Sequence, residues 1–210
     1  MIKVLIADDH PIVRQGLRQI LSDTPDMAVA GEAATAQEVL EMVQTEEWDI
    51  LVLDITLPDR SGFDILKDLK HNQPQLPILI LSIHAEDQLA VRVLKGGADG
   101  YLTKENAPSD LIKAIRKVVR GGKYVSQNLA EILVFNLNEG SDPLRHQTLS
   151  DREFQVMQLI AGGKTLAEIA QELMLSAKTI STYRSRLLEK MDFKTNTEII
   201  RYAIENHLID

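Results

Sequence analysis

Cysteine is absent from the 210 residues of this sequence. Its absence excludes disulfide bonds, thiolate metal sites and a cysteine nucleophile. Long apolar runs are also lacking, since none approaches the ~18 residues that a membrane-spanning helix needs. The first residues do not resemble a signal peptide, because their apolar stretch is short and Asp8 and Asp9 follow at once. We therefore expect a cytoplasmic protein without a membrane partner.

An excess of positive charge is lacking too, because the net charge is −8. This balance argues against a general attraction to nucleic acid or anionic lipid. The distribution is uneven: residues 1–124 hold 14 Lys and Arg against 19 Asp and Glu, whereas residues 148–210 hold 8 against 9. Within residues 176–194, five basic residues face only two acidic ones. The C-terminal part therefore contains a local basic stripe that the total charge hides.

The first 124 residues alternate between strand-like and helix-like patterns. Short apolar runs without polar alternation are typical of strands buried on both faces of a parallel sheet. Such runs occur at residues 2–7, 27–30, 50–53, 78–81 and 101–102. A helical pattern follows each run, and Gly121 and Gly122 end the fifth helix. Five such pairs predict a doubly wound α/β sheet, in which functional residues collect at the carboxyl ends of the strands.

The remaining residues show helical patterns without a strand signal. We expect a linker over 125–147 that contains a helix at about 127–138 and a turn-like segment at 138–143. Residues 148–210 predict a second, all-α domain of four short helices. We expect these helices near residues 150–161, 166–173, 177–191 and 196–206. Ser176 is the expected N-cap of the third helix.

Polar residues follow the strand-like runs. Asp8 and Asp9 follow the first run and Asp54 ends the third, so three carboxylates are expected at one edge of the sheet. Such charges repel one another unless a cation neutralises them, and Mg²⁺ prefers oxygen ligands of this kind. Ser82 and Lys104 follow the fourth and fifth runs and add a hydroxyl and an ammonium group. Together these groups are suited to hold a phosphoryl group beside a metal ion.

Each of these residues has a commoner explanation when it is taken singly. An Asp-Asp pair is more often a solvated loop feature than a metal site. A serine such as Ser82 is more often a helix cap, and a lysine such as Lys104 more often lies at the surface. Their combination at the ends of four different strands favours the phosphoryl site over these alternatives.

The segments IADDHPIVRQGLRQIL, LVLDITLPDRSGFDIL, LSIHAED and GADGYLTKENAP resemble a response-regulator receiver domain over residues 1–124. The resemblance implies a flavodoxin-like (βα)5 fold. It implies that Asp54 is the phosphoacceptor, which attacks a phosphohistidine of a sensor histidine kinase. It also implies that Asp9, Asp54 and the main-chain carbonyl of Thr56 hold Mg²⁺, with Asp8 beside them in the metal site.

The same resemblance assigns roles to residues of the last two strands. Ser82 and Lys104 would bind the phosphoryl oxygens, and Tyr101 would be the aromatic residue whose rotamer follows Ser82. Taken alone, Tyr101 is more often a half-buried strand residue.

Two positions differ from many receivers. Glu105 stands where many have proline, so the usual cis peptide bond after Lys104 is not expected. Ile83 stands where many have a small residue, and we hypothesise that it slows phosphoryl turnover. His84 is interpreted as a surface loop residue.

Residues 166–191 contain two helical patterns that are separated by a tight turn. The expected inner faces carry Ala167, Ile169, Ala170 and Leu173 on the first helix and Ile180, Leu187 and Met191 on the second. This arrangement predicts a helix-turn-helix, whose second helix enters the DNA major groove. A basic helix face is more often merely solvated, and composition alone leaves that alternative open.

The segments LSDRE, IAGGKTLAEIAQEL and LSAKTISTYRSRLLEKM resemble the LuxR-type DNA-binding domain of NarL/FixJ regulators over about 148–207. The resemblance implies that Glu153 braces the helix bundle and that the third helix reads DNA. The residues expected to face bases are Ser181, Thr182 and Ser185. Those expected to hold the DNA backbone are Lys178, Thr179, Tyr183, Arg186 and Lys190. Tyr183 stands where the family often has histidine.

The combined expectation is a two-component transcription regulator: a receiver over 1–124, a linker over 125–147 and a DNA-binding domain over 148–210. It would bind promoter DNA as a homodimer, formed on phosphorylation or on DNA binding, and contact RNA polymerase. In the resting state the receiver would partly mask the recognition helix. One alternative is a Mg²⁺-dependent phosphohydrolase, which the lack of a cap segment and of a second acid or base after Asp54 disfavours. The other is a DNA-binding protein with a degenerate receiver, which the complete set of site residues disfavours.

Overall fold

The computed structural model describes residues 1–60, 62–83, 88–138, 145–173, 175–206 and 208–209. The chain divides into two compact units, Met1–Asn138 and Glu139–Asp210. None of the helices in these ranges combines the length and the apolar character that crossing a membrane requires.

The first unit is built on a sheet of five parallel strands. The strands are β1 (Ile2–Ala7), β2 (Met27–Ala33), β3 (Ile50–Asp54), β4 (Ile78–Ser82) and β5 (Gly100–Thr103), and their order in the sheet is β2-β1-β3-β4-β5. Every residue of β3 and β4 is buried, which explains why their sequences are apolar without alternation. The predicted doubly wound sheet is confirmed.

Six helices of the first unit are described. They are α1 (Pro11–Ser22), α2 (Ala36–Thr45), α3 (Gly62–Asn72), α4 (Gln88–Lys95), α5 (Ala107–Val119) and α6 (Gln127–Asn138). Helices α1 and α5 pack together over one face of the sheet, while α2 and α3 contact each other on the opposite face. Helix α6 has the predicted bounds. It belongs to this first unit, and its Leu129 is fully buried.

Two glycines shape the connections of the first unit. A Cβ at Gly62 would lie 2.6 Å from the Cα of Ile55, so only glycine lets α3 begin this close to the end of β3. Gly121 has a φ of +82° and ends α5 as predicted. In the described part of the chain no peptide bond is cis, in line with Glu105 after Lys104.

In the described residues of the second unit, all regular secondary structure is helical. A short 3-10 helix, Arg145–Thr148, precedes α7 (Asp151–Ala161), α8 (Leu166–Glu172), α9 (Ala177–Met191) and α10 (Asn196–Glu205). The four α-helices match the predicted ones, whereas the 3-10 helix was not predicted. The segment 139–143 of the expected turn lies outside the described residues.

Side-chain caps mark the helix starts of the second unit. Ser150, Thr165 and Thr195 each form a capping box with the glutamate three residues later. The predicted cap Ser176 accepts a hydrogen bond from the backbone N–H of Thr179. These hydrogen bonds satisfy backbone donors that the first turn of each helix leaves open.

The core of the helix-turn-helix agrees with the predicted inner faces except at one residue. Ile169, Ala170 and Leu173 of the first helix are buried, as are Ile180, Leu187 and Met191 of the second. Ala167 is exposed, so the prediction for it is wrong. The buried stripe follows the i, i+1 and i+4 spacing from Ile169, and Ala167 lies two positions earlier, on the far side of α8.

Candidate functional site

Four polar residues meet at the carboxyl edge of the sheet. Asp8 follows β1, Asp54 and Ser82 end β3 and β4, and Lys104 follows β5. The side chains of Asp8, Asp54 and Ser82 are almost completely buried. The structure thus brings together four of the predicted site residues in a place where burying charge is costly.

Lys104 joins the two buried carboxylates. Its Nζ lies 2.7 Å from Oδ2 of Asp8 and 2.7 Å from Oδ2 of Asp54. Its backbone N–H also donates to the carbonyl of Ser82 at 2.7 Å, which holds the residue beside β4. One ammonium group therefore faces two buried carboxylates and offsets their negative charge only in part.

The pKa values of this pair reflect the same balance. Burial raises the pKa of Asp54 to about 6, although the Lys104 ammonium and the backbone N–H of Thr56 act in the opposite direction. Burial would lower the pKa of Lys104, but the carboxylates of Asp54 and Asp8 outweigh it and raise that pKa. Lys104 is thus charged at neutral pH, whereas the Asp54 carboxylate is incompletely compensated without a further cation.

Asp9 and His10 extend the site toward solvent. Nδ1 of His10 lies 2.6 Å from Oδ1 of Asp9 and 3.2 Å from Oδ1 of Asp8, and the backbone N–H of His10 donates to the latter atom at 2.8 Å. Asp8, Asp9, His10 and Asp54 can each offer one ligand atom, and these atoms lie within 4.8 Å of one another. His10 was not among the predicted site residues, although its place directly after two site carboxylates was a signal.

The donor set fits Mg²⁺. Three carboxylates from two strand ends supply hard oxygen ligands, and their mutual repulsion favours a divalent cation. The backbone N–H of Thr56 donates to Oδ1 of Asp54 at 3.0 Å, so this residue lies beside the site. Its main-chain carbonyl stays a predicted ligand.

Two neighbours of the site differ in exposure. Tyr101 on β5 is fully buried, so the alternative of a half-buried aromatic is wrong. Ile83 is 72% exposed, and its effect on phosphoryl turnover stays a prediction. His84 lies outside the described residues.

Two further residues hold the loops of the site, and neither was predicted from the sequence. The guanidinium of Arg14 donates to the main-chain carbonyl of Asp8 at 2.6 Å and to the carboxylate of Glu32 at 3.2 Å. The carboxylate of Asp59 accepts from the backbone N–H groups of Ala36 and Gln37 at 2.8 and 3.0 Å. Asp59 thereby ties the loop after Asp54 to the start of α2.

The second unit presents one side of α9 to solvent. Lys178, Ser181, Thr182, Ser185 and Arg186 are exposed, while Thr179 and Tyr183 are half-buried. The hydroxyl of Thr182 donates to the carbonyl of Lys178, and that of Ser185 donates to the carbonyl of Ser181, both at 3.0 Å. These predicted DNA-facing residues form one surface, whose hydroxyls and cations are suited to phosphates and base edges.

Lys190, the last predicted contact of α9, forms an ion pair within the unit. Its Nζ lies 2.7 Å from Oε2 of Glu153, which also accepts from the backbone N–H of Ser150 at 2.7 Å. Burial would raise the pKa of Glu153, but these hydrogen bonds outweigh it and lower that pKa. The expectation that Glu153 braces the bundle is confirmed, since it joins the start of α7 to the end of α9.

Comparison with known families matches both units. Residues 4–116 match the response regulator receiver domain, and residues 147–203 match the luxR family of bacterial regulatory proteins. Response regulator UvrY of Escherichia coli K12 is 32% identical over 209 residues, which cover 99% of this chain and 96% of that protein. Response regulator GacA of Pseudomonas aeruginosa is 31% identical over 214 residues, with 100% and 99% covered.

Solved structures agree with this assignment. The RcsB response regulator of Salmonella typhimurium is 26% identical, with a TM-score of 0.70 and 97% of each chain covered. RcsB of the same serovar bound to promoter P1flhDC in the presence of phosphomimetic BeF3⁻ is 28% identical, with a TM-score of 0.66 and 96% and 97% covered. The chain therefore belongs to the NarL/FixJ family of response regulators, with a receiver domain followed by a LuxR-type DNA-binding domain.

Proposed function

We propose that this response regulator accepts a phosphoryl group on Asp54 from a sensor histidine kinase and thereby changes its dimerisation and DNA binding. The observation that carries the proposal is the buried cluster in which Lys104 contacts both Asp54 and Asp8 at 2.7 Å. A buried carboxylate in such a setting can attack phosphorus. The ammonium group beside it, and a cation held by the further carboxylates, can then stabilise the phosphorylated product.

In the transfer step, a carboxylate oxygen of Asp54 forms a bond to phosphorus while the bond between phosphorus and the kinase imidazole breaks. Asp8, Asp9 and Asp54 would hold Mg²⁺, together with the carbonyl of Thr56. When bound, this ion supplies positive charge that stabilises the phosphoryl oxygens. Lys104 would bind one of these oxygens by its ammonium group.

Ser82 and Tyr101 would transmit the change. Ser82 ends β4, Tyr101 is fully buried on the adjacent β5, and the two strands are paired in parallel register. A shift of the Ser82 hydroxyl toward the phosphoryl group would alter the packing around Tyr101. Such a local event can bias the surface near α4 and α5 between two states and so promote dimerisation.

DNA binding would use the exposed side of α9. Ser181, Thr182 and Ser185 would face base edges, while the backbone contacts would come from Lys178, Thr179, Tyr183, Arg186 and Lys190. A dimer presents two such helices to half-sites about one helical turn apart. On promoter DNA the protein would act in the cytoplasm and contact RNA polymerase.

Phosphoryl labelling tests the proposal. Wild-type protein and the Asp54→Asn variant are incubated with labelled acetyl phosphate and Mg²⁺, and binding to genomic DNA fragments is then measured. Asp23→Asn is the matched control, because Asp23 is an exposed aspartate. We expect label and stronger DNA binding in the wild type and the control, and neither in Asp54→Asn. Label that persists in Asp54→Asn would contradict the assignment.

The same samples address enzymatic activity. We expect slow loss of the protein's own phosphoryl group and no turnover of a small phosphate ester such as p-nitrophenyl phosphate. Sustained turnover that depends on Asp54 would favour the phosphohydrolase instead.

A further inference from the structure

Helix α5 carries a row of cations along its solvent side. A groove of about 690 Å³ runs along this side, and four of the residues that line it are basic. They lie at the i, i+3, i+4 and i+7 spacing of one helix face: Lys113, Arg116, Lys117 and Arg120. Asp110, the only acidic residue of α5, does not line the groove. We call the four cations the α5 basic face.

Most of the positive charge of this face is not neutralised. Arg116 is paired, because its guanidinium donates to both carboxylate oxygens of Asp26, at 2.9 and 3.2 Å. Lys113, Lys117 and Arg120 are exposed, and within the described ranges they form no ion pair. Four cations against one carboxylate leave an excess of three positive charges in contact with solvent.

The face differs in charge from the unit that carries it. Residues 1–124 hold 14 Lys and Arg against 19 Asp and Glu, yet residues 113–120 hold four of these basic residues and no acidic one. Lys113 and Lys117 form an i, i+4 pair of like charge, as do Arg116 and Arg120, and such pairs destabilise a helix. The stability of α5 therefore does not explain the pattern, whereas an anionic partner would offset the repulsion.

The composition of the groove favours DNA over a protein as that partner. Stable protein interfaces contain an apolar core, but Ile112 is the one apolar side chain among the described residues that line the groove, and it is half-buried. Contacts to DNA phosphates need cations and little apolar surface. From Lys113 to Arg120 the helix rises by about 10 Å, and a duplex carries one negative charge per about 1.7 Å of its axis. The face is long enough to meet several phosphates.

We propose that the α5 basic face is a second DNA contact, which binds the phosphate backbone without reading sequence and adds to the contact made by α9. This inference rests on the proposed function, because DNA binding through α9 tethers the receiver of the same chain to the duplex. Tethering gives a second site an effective concentration in the millimolar range, so a contact that is weak by itself still adds affinity. The salt dependence of binding then contains a contribution from each unit.

DNA binding by the full-length protein tests this site. Fluorescence anisotropy of a labelled mixed-sequence duplex of about 40 base pairs gives the affinity over a series of salt concentrations. The protein is phosphorylated with acetyl phosphate and Mg²⁺. The test variant is Lys113→Gln/Arg120→Gln, and the control is Lys3→Gln/Lys67→Gln, which removes two exposed lysines elsewhere on the receiver. Both variants lose two positive charges, so a difference between them reports the position of the charges. Sedimentation velocity without DNA reports dimerisation.

We expect the test variant to bind about tenfold more weakly than the wild type at about 0.1 M salt, and its salt dependence to fall by about two phosphate contacts. The control should stay within about twofold of the wild type, because the charges it loses lie outside the contact. Dimerisation should be the same in all three proteins. Chemical acetylation, followed by mass spectrometry, should modify Lys113 more slowly when DNA is bound and Lys67 at an unchanged rate.

Equal losses of affinity in the two double variants would overturn the proposal, since total charge would then be a sufficient explanation. Unchanged binding by the test variant, or unchanged acetylation of Lys113 on DNA, would overturn it as well. Weaker binding that parallels a loss of dimers would assign the face to a protein partner instead. Failure of the proposed function is a different result: Arg186→Ala on α9 would bind DNA as the wild type does, or Asp54 would take up no phosphoryl label.

Discussion

Asp54 lies where a carboxylate is useful for chemistry and unfavourable for stability. Its pKa is raised to about 6 by burial, so the folded state binds a proton more tightly than the unfolded chain does. The free energy of unfolding that the protonated Asp54 contributes is therefore lost as pH rises from about 4 to 6. Above that range the ionised carboxylate destabilises the metal-free protein. Burial of Asp54 thus lowers the stability of the metal-free protein. It also leaves a carboxylate that can bind a cation and, as we propose, accept a phosphoryl group.

Asp54→Asn should therefore stabilise the metal-free receiver at pH 7.5, by about 3 kcal/mol. The measurement is urea unfolding in the presence of EDTA, followed by the fluorescence of Trp48, the single tryptophan of the chain. Added Mg²⁺ should stabilise the wild type and have little effect on the variant, since a ligand stabilises only the state that binds it. Equal stability of the two proteins in EDTA would contradict this account.

Glu153 shows the opposite linkage. Hydrogen bonds from Lys190 and Ser150 outweigh its burial and lower its pKa, so its contribution to stability is present above a pH of about 4.5 and lost as pH falls through the lowered pKa. Glu153→Gln should lower the melting temperature at pH 7, and the difference from the wild type should shrink toward pH 3. Circular dichroism checks this, with Glu189→Gln on the exposed side of α9 as the control. A difference that is constant with pH would exclude the charged pair as its cause.

At the scale of elements, the loop after β3 is anchored by hydrogen bonds to the start of α2. Asp59 accepts hydrogen bonds from two backbone N–H groups at the start of α2, where Thr35 caps only one more. Burial would raise the pKa of Asp59, but these N–H donors lower it. The conformation of the loop after Asp54 therefore depends on a helix that precedes it in the chain.

Asp59→Ala should destabilise the receiver by about 1–2 kcal/mol, the usual effect of removing a cap. It should also weaken Mg²⁺ binding, because the loop that carries Thr56 loses its anchor. Urea unfolding and calorimetry measure the two effects. Asp59→Asn keeps one acceptor oxygen and should give a smaller loss in both. Unchanged Mg²⁺ affinity in Asp59→Ala would separate the cap from the site.

Helix α9 is exposed along the side that we propose for DNA. Arg186→Ala should weaken binding to all sequences to a similar degree and reduce the salt dependence by about one phosphate contact. Ser185→Ala should instead weaken binding to some sequences more than others. Fluorescence anisotropy at several salt concentrations measures both, with Lys67→Ala, an exposed lysine on α3, as the control. Sequence-selective loss in Arg186→Ala would mean that this residue reads bases.

At the scale of the whole molecule, two compact units share one chain through a linker whose helix α6 belongs to the first unit. The resemblance predicts that the resting receiver partly masks the recognition helix. Hydrogen exchange of residues 177–190 should then be slow before phosphorylation and faster afterwards. The Asp54→Asn variant should show the slow exchange in both conditions. Protection that persists in the phosphorylated wild type would count against masking.

Sequence patterns predicted most of the fold for a definite physical reason. Strands buried on both faces require uninterrupted apolar runs, and helices with one buried face require apolar residues at a 3.6-residue period. Both features can therefore be recognised within a short stretch of sequence. Arg14 and Asp59 were missed because their partners are distant in sequence and no local period records the pairing. The error at Ala167 arose because α8 is short and its apolar residues outnumber the places on its buried face.

The order of secondary structure and the kinds of group at each strand end could be determined from the sequence, because local spacing and side-chain chemistry suffice for both. Tertiary structure decided which charges meet. Lys104 and Asp54 are 50 positions apart, and they touch because β5 packs beside β4 and β4 beside β3. Likewise, the backbone turn after β1, rather than any residue pattern, directs the imidazole of His10 toward two carboxylates. Such contacts depend on how elements pack, which no local pattern contains.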